Sequence, residues 1–92
     1  MRFDIALYGL RLFKSRSQAS VAIQDGAALL NGQLVKPSHG VKPGDRITLA
    51  SQGVRRTCEV LGLPQGSLSR TAARELVREI GVMDEAMRQR VE

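Results

Sequence analysis

The Asn31-Gly32 pair constrains the fold of this chain more than any other feature of the sequence. Both central residues of a type I′ turn need positive φ, so Asn-Gly is the strongest short-range signal for a β-hairpin. A short apolar run over residues 27–30 precedes the pair and residues 33–35 follow it, so we expect a short strand on each side. Upstream of this point the apolar residues recur with helical spacing instead. The sequence therefore predicts helices first and a sheet after them.

A first helix is predicted close to the start of the chain. Phe3 and Leu7 recur at helical spacing and give the helix an apolar face. We expect Asp4 to cap its N-terminus, with Phe3 and Tyr8 packing against each other across the cap. The helix should stop near Lys14, where a second capping signal begins.

A second helix is predicted from Ser15 to Gly26. The run Ser15-Arg16-Ser17-Gln18 has the pattern of a capping box, in which the Ser15 hydroxyl accepts a hydrogen bond from the amide of Gln18. Gly26 can end the helix because glycine adopts the left-handed conformation of a C-cap at little cost. The two helices should thus meet at a short joint.

Turn residues divide the middle of the chain into short strands. Pro43-Gly44-Asp45 suits a type II turn, because proline fixes φ at the second position and glycine takes positive φ at the third. Apolar residues alternate with polar ones in residues 46–49 and, more loosely, in residues 55–61. We therefore predict three to five short strands.

A third helix is predicted after the strands, with Ser69 as its cap and Gly81 at its end. The apolar residues between them have the spacing i, i+3, i+4 and i+7; they are Ala73, Leu76, Val77 and Ile80. The predicted fold class is α+β. Two N-terminal helices pack on a small, mainly antiparallel sheet in residues 1–63, and a C-terminal helical extension occupies residues 64–92.

The charge of the chain indicates a polyanionic partner. The formal net charge is +5, and residues 1–50 carry seven basic and three acidic side chains, against seven and six in residues 51–92. The chain has one Tyr, two Phe and no Trp, so we expect little aromatic stacking on unpaired bases.

The residue inventory excludes several other functions. Cys58 is the only cysteine and His39 the only histidine, so neither an internal disulfide nor a Cys/His zinc site is expected. No nucleophile-base pair is evident, and 92 residues form a single domain. We predict no catalysis, no cofactor, no membrane span and a cytoplasmic location.

Basic residues gather around the start of the first helix and the joint between the two helices. Arginine suits phosphate recognition because its planar fork donates two parallel hydrogen bonds, and the N-terminus of the second helix adds free amides and a positive dipole end. The predicted contacts are Arg2, Arg11, Lys14, Ser15, Arg16 and Gln18, extended by Lys36 and Ser38. The alternative is that these charges are only solvated and that Ser15 and Gln18 only cap the helix.

Further cations form a candidate secondary RNA surface. Lys42 lies beside the predicted type II turn, and Arg70, Arg74 and Arg78 would line one stripe of the third helix at i, i+4 and i+8. Because acidic residues lie beside that stripe, a solvated and charge-balanced helix face is the alternative.

The order of these elements, and many of their residues, resemble a known family. The matching residues are Arg2-Phe3-Asp4, Leu12 through Ala19, Ile23, Gly26, Leu30 through Gln33, Lys36-Pro37-Ser38 and Val41 through Ile47. They resemble the S-four RNA-binding domain, also called the alpha-L motif, over residues 2 to about 50. Within this family the resemblance is strongest to small free-standing members similar to heat shock protein fifteen.

This resemblance implies non-catalytic binding of structured RNA through the first two helices. Ribosomal RNA and transfer RNA are the implied ligands, and the large ribosomal subunit is the implied partner, with no small-molecule substrate. Two other functions remain open from the residues themselves. One is a protein-binding, ribosome-associated module whose charges improve solubility, and the other is a DNA-binding helix-turn-helix regulator.

Overall fold

The computed structural model describes residues 1–66 and 68–84. The elements in chain order are α1 Phe3–Gly9, α2 Arg16–Gln24, β1 Ala28–Leu30, β2 Arg46–Ser51, β3 Val54–Val60, α3 Arg70–Arg74 and β4 Val77–Asp84. The four strands form one antiparallel sheet in the order β1-β2-β3-β4, so each strand pairs with the next along the chain. The predicted α+β class, with two N-terminal helices and an antiparallel sheet, is confirmed.

The core lies where α1 and α2 pack together and against the sheet. Its largest fully buried side chains are Phe3, Leu7, Ile23, Ile47 and Val60, which come from both helices and from β2 and β3. Burying an aliphatic or phenyl side chain of this size contributes about 1.5–3 kcal/mol each. The apolar faces predicted for the helices and strands thus meet in one core. No helix in residues 1–66 and 68–84 is long and apolar enough to cross a membrane.

The start of α1 differs from the prediction. Arg2, not Asp4, is the N-cap residue, and Asp4 lies inside the first turn, where its carboxylate accepts a hydrogen bond from the amide of Ile5 (2.8 Å). Carbonyl oxygens of the 37–39 loop accept hydrogen bonds from the first two helical amides. Because Arg2 is the N-cap, Phe3 lies inside the helix and not before the cap, so Phe3 and Tyr8 do not hold the positions of the predicted hydrophobic staple.

The predicted ends of α2 are confirmed. The Ser15 hydroxyl accepts a hydrogen bond from the Gln18 amide at 3.1 Å. At the other end Gly26 has a φ of 79°. The amides of Gly26 and Ala27 donate to the carbonyls of Ile23 and Ala22, which is the Schellman arrangement.

The Asn31-Gly32 turn forms, but its predicted returning strand does not. Asn31 and Gly32 have φ values of 52° and 77°, and Leu30 and Gln33 exchange both backbone hydrogen bonds. Pairing stops there, so the strand predicted at 33–35 is wrong and β1 pairs with β2 instead. The side chain of Asn31 explains this arrangement, because it donates to the Asp45 carboxylate (3.2 Å) and accepts from the amide that starts β2.

The predicted type II turn at Pro43-Gly44 is confirmed. The Asp45 amide donates to the Lys42 carbonyl at 3.1 Å, and Gly44, in the third position, has a φ of 96°. The buried Asp45 carboxylate accepts from the Lys42 amide and closes the turn from inside.

The predicted C-terminal helical extension is wrong for most of its described length. Ser69 caps α3 as predicted, accepting from the Ala72 amide, but the helix ends at Arg74. Residues from Val77 onward form β4, which adds a fourth strand to the sheet by pairing with β3. The stripe of Arg70, Arg74 and Arg78 on one helix therefore does not exist. Ser67 and residues 85–92 of the predicted extension lie outside the described residues.

Candidate nucleic-acid interface

The joint between α1 and α2 is built around an arginine in the left-handed conformation. α1 ends at Gly9, five residues before the predicted end, and Arg11 follows with a φ of 60°. The Arg11 amide donates to the Tyr8 carbonyl and the Leu12 amide to the Leu7 carbonyl, which is the same Schellman arrangement that ends α2. Glycine is the usual residue at this position. Arg11 instead directs a long cationic side chain away from the helix end.

Lys14 and Arg16 flank the start of α2, on either side of the Ser15 cap. Both are exposed, and neither forms an ion pair with any residue in the described ranges. Gln18 is also exposed, while its amide is held by Ser15. We call the group formed by Arg11, Lys14 and Arg16 the basic corner. The structure thus brings these three predicted contact residues to one rigid joint.

Arg2, the N-cap residue of α1, forms an ion pair with Asp4. Its guanidinium donates two hydrogen bonds to the Asp4 carboxylate, at 3.1 and 3.0 Å. Burial alone would raise the pKa of Asp4, but the hydrogen bonds from Arg2 and the Ile5 amide, together with the charges of Arg2 and Arg16, outweigh burial and lower that pKa. Arg16 therefore lies close to this pair. Unlike the basic corner, Arg2 is partly neutralised.

Lys36 and Ser38 lie on the loop that covers the N-terminus of α1. The Pro37 and His39 carbonyls accept the amides of Asp4 and Phe3, at 3.1 and 2.8 Å. The side chains of Lys36 and Ser38 are exposed. These hydrogen bonds bring the loop next to the Arg2–Asp4 pair. Lys36 and Ser38 therefore lie near the start of α1, as the predicted interface requires.

The cations predicted to form a secondary surface separate into three places. Arg70 and Arg74 lie on α3 and, with Arg11 and Lys14, line one groove. Arg78 lies on β4 and pairs with Glu59 of β3. Lys42 is exposed at the type II turn.

The groove runs between the α1–α2 joint and the segment around α3, and we call it the α3 groove. One side consists of residues 8–14, and the other includes Gly66, Leu68, Arg70, Ala73, Arg74 and Val77. The Arg11 guanidinium crosses to the opposite side and donates to the Leu68 carbonyl at 3.0 Å. Arg70 and Arg74 therefore lie across the α3 groove from two cations of the basic corner and do not form a separate surface.

Sequence reasoning missed two features of the α3 groove, Tyr8 and the Leu68 carbonyl. Tyr8 lies one turn before Arg11 on α1 and lines the α3 groove. Its position three residues before Arg11 is the sequence feature that points to the groove. From the sequence alone, Tyr8 is instead interpreted as part of a hydrophobic staple. The Leu68 carbonyl had no signal, because it lies 57 residues from Arg11 along the chain.

Cys58 lies on β3 and does not line the α3 groove. It is partly buried, and burial followed by the nearby charge of Glu79 raises the pKa of its thiol. Among the described residues, no group of three or more His, Cys, Asp or Glu side chains has the geometry of a metal site.

Two helices that meet at a capped, basic joint and pack on a small antiparallel sheet define a small nucleic-acid-binding domain. A model of the S4 domain family matches residues 1–47, about half of the chain, and the chain belongs to this family. The recognition of an S-four domain from sequence is thereby confirmed.

The whole fold is also similar to a solved protein. The trimeric structure of heat shock protein 15 from Vibrio cholerae superposes with a TM-score of 0.82 and 30% sequence identity, over 98% of this chain and 90% of that one. The curated proteins compared with this chain include no match. The family and the structural likeness together indicate RNA binding.

Proposed function

We propose that this protein binds structured RNA without catalysing a reaction, and that its ligand is ribosomal RNA or transfer RNA on the ribosome. The basic corner is the centre of the proposed interface, and Ser15, Gln18, Arg2, Lys36 and Ser38 extend it. A ribosomal ligand implies a cytoplasmic location.

The observation that carries this proposal is the exposure of three cations on a joint that cannot easily rearrange. Arg11, Lys14 and Arg16 lie within six residues, and the joint is fixed by a Schellman arrangement on one side and the Ser15 cap on the other. Binding to such a preformed surface avoids the cost of ordering it on association. Charge-assisted hydrogen bonds from arginine to phosphate are among the strongest in proteins.

Several features favour folded RNA as the ligand. An A-form helix presents phosphates and 2′-hydroxyls on a wide, shallow minor groove, which proteins recognise by shape. The amides of Arg16 and Ser17 lie in the first turn of α2, where no carbonyl within the helix can accept from them, and they can add neutral donors to the phosphate contacts. The ribosomal partner is the one that the resemblance to small free-standing S-four members implies, and the likeness to heat shock protein 15 supports that resemblance.

The test compares two double variants with equal loss of charge. Lys14→Ala/Arg16→Ala removes two cations of the basic corner, whereas Arg56→Ala/Arg78→Ala removes two cations that are paired with glutamates on β3 and β4. Binding to a labelled RNA hairpin is measured by fluorescence anisotropy. We expect the first variant to bind at least about ten-fold more weakly than the second, since each charged contact is worth roughly 1 kcal/mol or more. Equal affinities would refute the assignment of the corner.

The salt dependence separates the alternatives. If about four phosphates are contacted, the slope of log affinity against log salt is about −3, at about −0.7 per phosphate as for single strands. A flat dependence would indicate a protein-binding module, and equal competition by duplex DNA would indicate a DNA-binding regulator. The oligomeric mass is measured alongside, because several corners on one particle would raise the apparent affinity.

The natural ligand is identified by crosslinking the protein in cells and sequencing the attached RNA. Recovery of ribosomal and transfer RNA is the expected result. Recovery of messenger or small regulatory RNA would remove the ribosome from the proposal.

A further inference from the structure

The α3 groove concentrates positive charge between the α1–α2 joint and α3. Four cations line it, namely Arg11, Lys14, Arg70 and Arg74, and no carboxylate from the described residues lines it with them. All four side chains belong to exposed residues. Glu75, the acidic neighbour of Arg74, is not part of the lining. Such a concentration of like charge is stable only where it faces water or an anion.

The groove is large and preformed. Its volume is about 710 Å³, within the roughly 300–1,000 Å³ range of small-molecule sites, so one nucleotide fits. The hydrogen bond from Arg11 to the Leu68 carbonyl ties its two sides together. Behind it, α1 lies so close to the 61–66 loop that a Cβ atom on Gly9 would be 2.6 Å from Cγ of Pro64.

Aromatic side chains complete the lining. Of the one Tyr and two Phe in the chain, Tyr8 and Phe13 both line the α3 groove, while Phe3 is in the core. Tyr8 is 46% exposed, which leaves part of its ring available. The low aromatic content predicted little stacking on bases, but the fold gathers the few aromatic residues beside the cations. An aromatic ring beside a cationic groove is the arrangement that binds unpaired nucleotides.

We infer that the α3 groove holds one unpaired nucleotide of the bound RNA, with its base against Tyr8 and its phosphate among Arg11, Arg70 and Arg74. This inference rests on the proposed RNA-binding function and adds a second element of recognition to it. A base-paired helix docks on the basic corner, and an adjacent nucleotide from an overhang or a bulge enters the groove. The protein thus selects junctions between paired and unpaired RNA over continuous helices.

The first experiment uses a blunt RNA hairpin and the same hairpin with a 5′ overhang, a 3′ overhang or a single-nucleotide bulge. We expect at least one unpaired form to bind the wild type about five-fold or more tightly than the blunt hairpin, the lower end of what stacking of one base provides. Tyr8→Ala and Arg70→Ala/Arg74→Ala should each remove this difference, and Tyr8→Ala, which keeps every charge, should leave affinity for the blunt hairpin within about two-fold. Tyr8→Phe should retain it.

The outcomes separate the two proposals. If none of the four RNAs binds, the proposed function itself fails. If the blunt hairpin binds but no unpaired form gains affinity, or if the gain survives in both groove variants, the inference is overturned and the function stands. Equal weakening of all RNAs by Arg70→Ala/Arg74→Ala also overturns it, because the groove cations would then contact only the helix.

A second measurement reports on Tyr8 directly. The chain has one tyrosine and no tryptophan, so its intrinsic fluorescence above 300 nm comes from Tyr8. Stacking of a base should quench this emission with the preferred unpaired hairpin and leave it unchanged with the blunt one. Tyr8→Phe, which has no such emission, gives the background signal, and free tyrosine titrated with the same RNAs corrects for absorption by the RNA. Equal quenching by both hairpins would refute contact between Tyr8 and the unpaired base.

Discussion

The left-handed Arg11 allows stability and RNA binding to be separated at a single residue. Arg11 occupies the helix-ending position that glycine usually takes, with a φ of 60°. We therefore compare Arg11→Gly with Arg11→Ala. Both variants lose the charge and the hydrogen bond to the Leu68 carbonyl. They differ only in how well the new residue tolerates positive φ.

The size of the difference follows from the backbone. The left-handed conformation costs a residue with a Cβ atom roughly 1–2 kcal/mol. Glycine avoids this cost, but its greater freedom in the unfolded chain costs about 0.4–1 kcal/mol. The net advantage of Arg11→Gly over Arg11→Ala is therefore about 1 kcal/mol. In a domain of this size, that free energy corresponds to a difference of about 4–8 °C in Tm.

The assay combines thermal unfolding with RNA binding. We expect Arg11→Gly to melt several degrees above Arg11→Ala, while the two variants bind an RNA hairpin equally weakly, with a salt slope about 0.7 shallower than that of the wild type. Equal Tm values for the two variants would show that position 11 is not left-handed in solution. Wild-type affinity in both would show that the Arg11 guanidinium does not contact RNA.

Three further changes test other parts of the structure. The pKa of Asp4 is lowered in the folded protein, so ionised Asp4 stabilises the fold. This contribution is complete above the unfolded pKa of about 3.9 and is lost as the pH falls through the folded pKa. The difference in urea midpoint between wild type and Asp4→Asn should therefore vanish in acid. Gly9→Ala should lower the free energy of unfolding in urea by about 1–3 kcal/mol, because the new Cβ atom would clash with Pro64. This loss should outweigh the helix preference for alanine. Gly40→Ala, where the new Cβ atom meets open space, should be nearly neutral. Alkylation of Cys58 should have a higher pH midpoint in the folded than in the denatured protein, and equal midpoints would contradict its burial.

Local backbone chemistry accounts for what the sequence could predict. The Ser15 cap, the left-handed Gly26 and the turns at Asn31-Gly32 and Pro43-Gly44 each depend on a few adjacent residues. The chemistry of those residues permits few alternatives, so the predictions are confirmed. The end of α1 is the exception, because a left-handed arginine has no sequence signal and the helix was predicted to continue to Lys14.

The C-terminal segment could not be predicted because its structure depends on distant pairing. Leu76, Val77 and Ile80 have the spacing of a helix face, but residues 77–84 also contain Gly81, which disfavours a helix interior, and β-branched residues that suit a strand. The decisive partner is β3, which offers a long edge for antiparallel pairing. Tertiary context therefore overrode a periodicity that is ambiguous over so few residues.

The sequence predicted only part of the candidate nucleic-acid interface, because the rest also depends on contacts between distant segments. Lys14 and Arg16 are close in sequence, so their proximity required only a short joint. The groove brings residues 8–14 beside residues 66–77. No local sequence pattern predicts a contact between segments so far apart along the chain. The aromatic residues were judged by their number, whereas their placement beside the cations depends on the fold.

The strands that follow Ile47 decide how much of the chain a transplanted RNA-binding module needs. The family model ends at residue 47, inside β2, but Ile47 packs in the same core as Val60 of β3, the strand that pairs along the whole of β2. A fragment cut at that point would keep only Arg46 and Ile47 of β2 and one of the three β1–β2 pairs, so the helices would have almost no sheet to pack against. A transplanted module must therefore carry the chain at least through β3, although most of the charge that it is meant to deliver precedes β2.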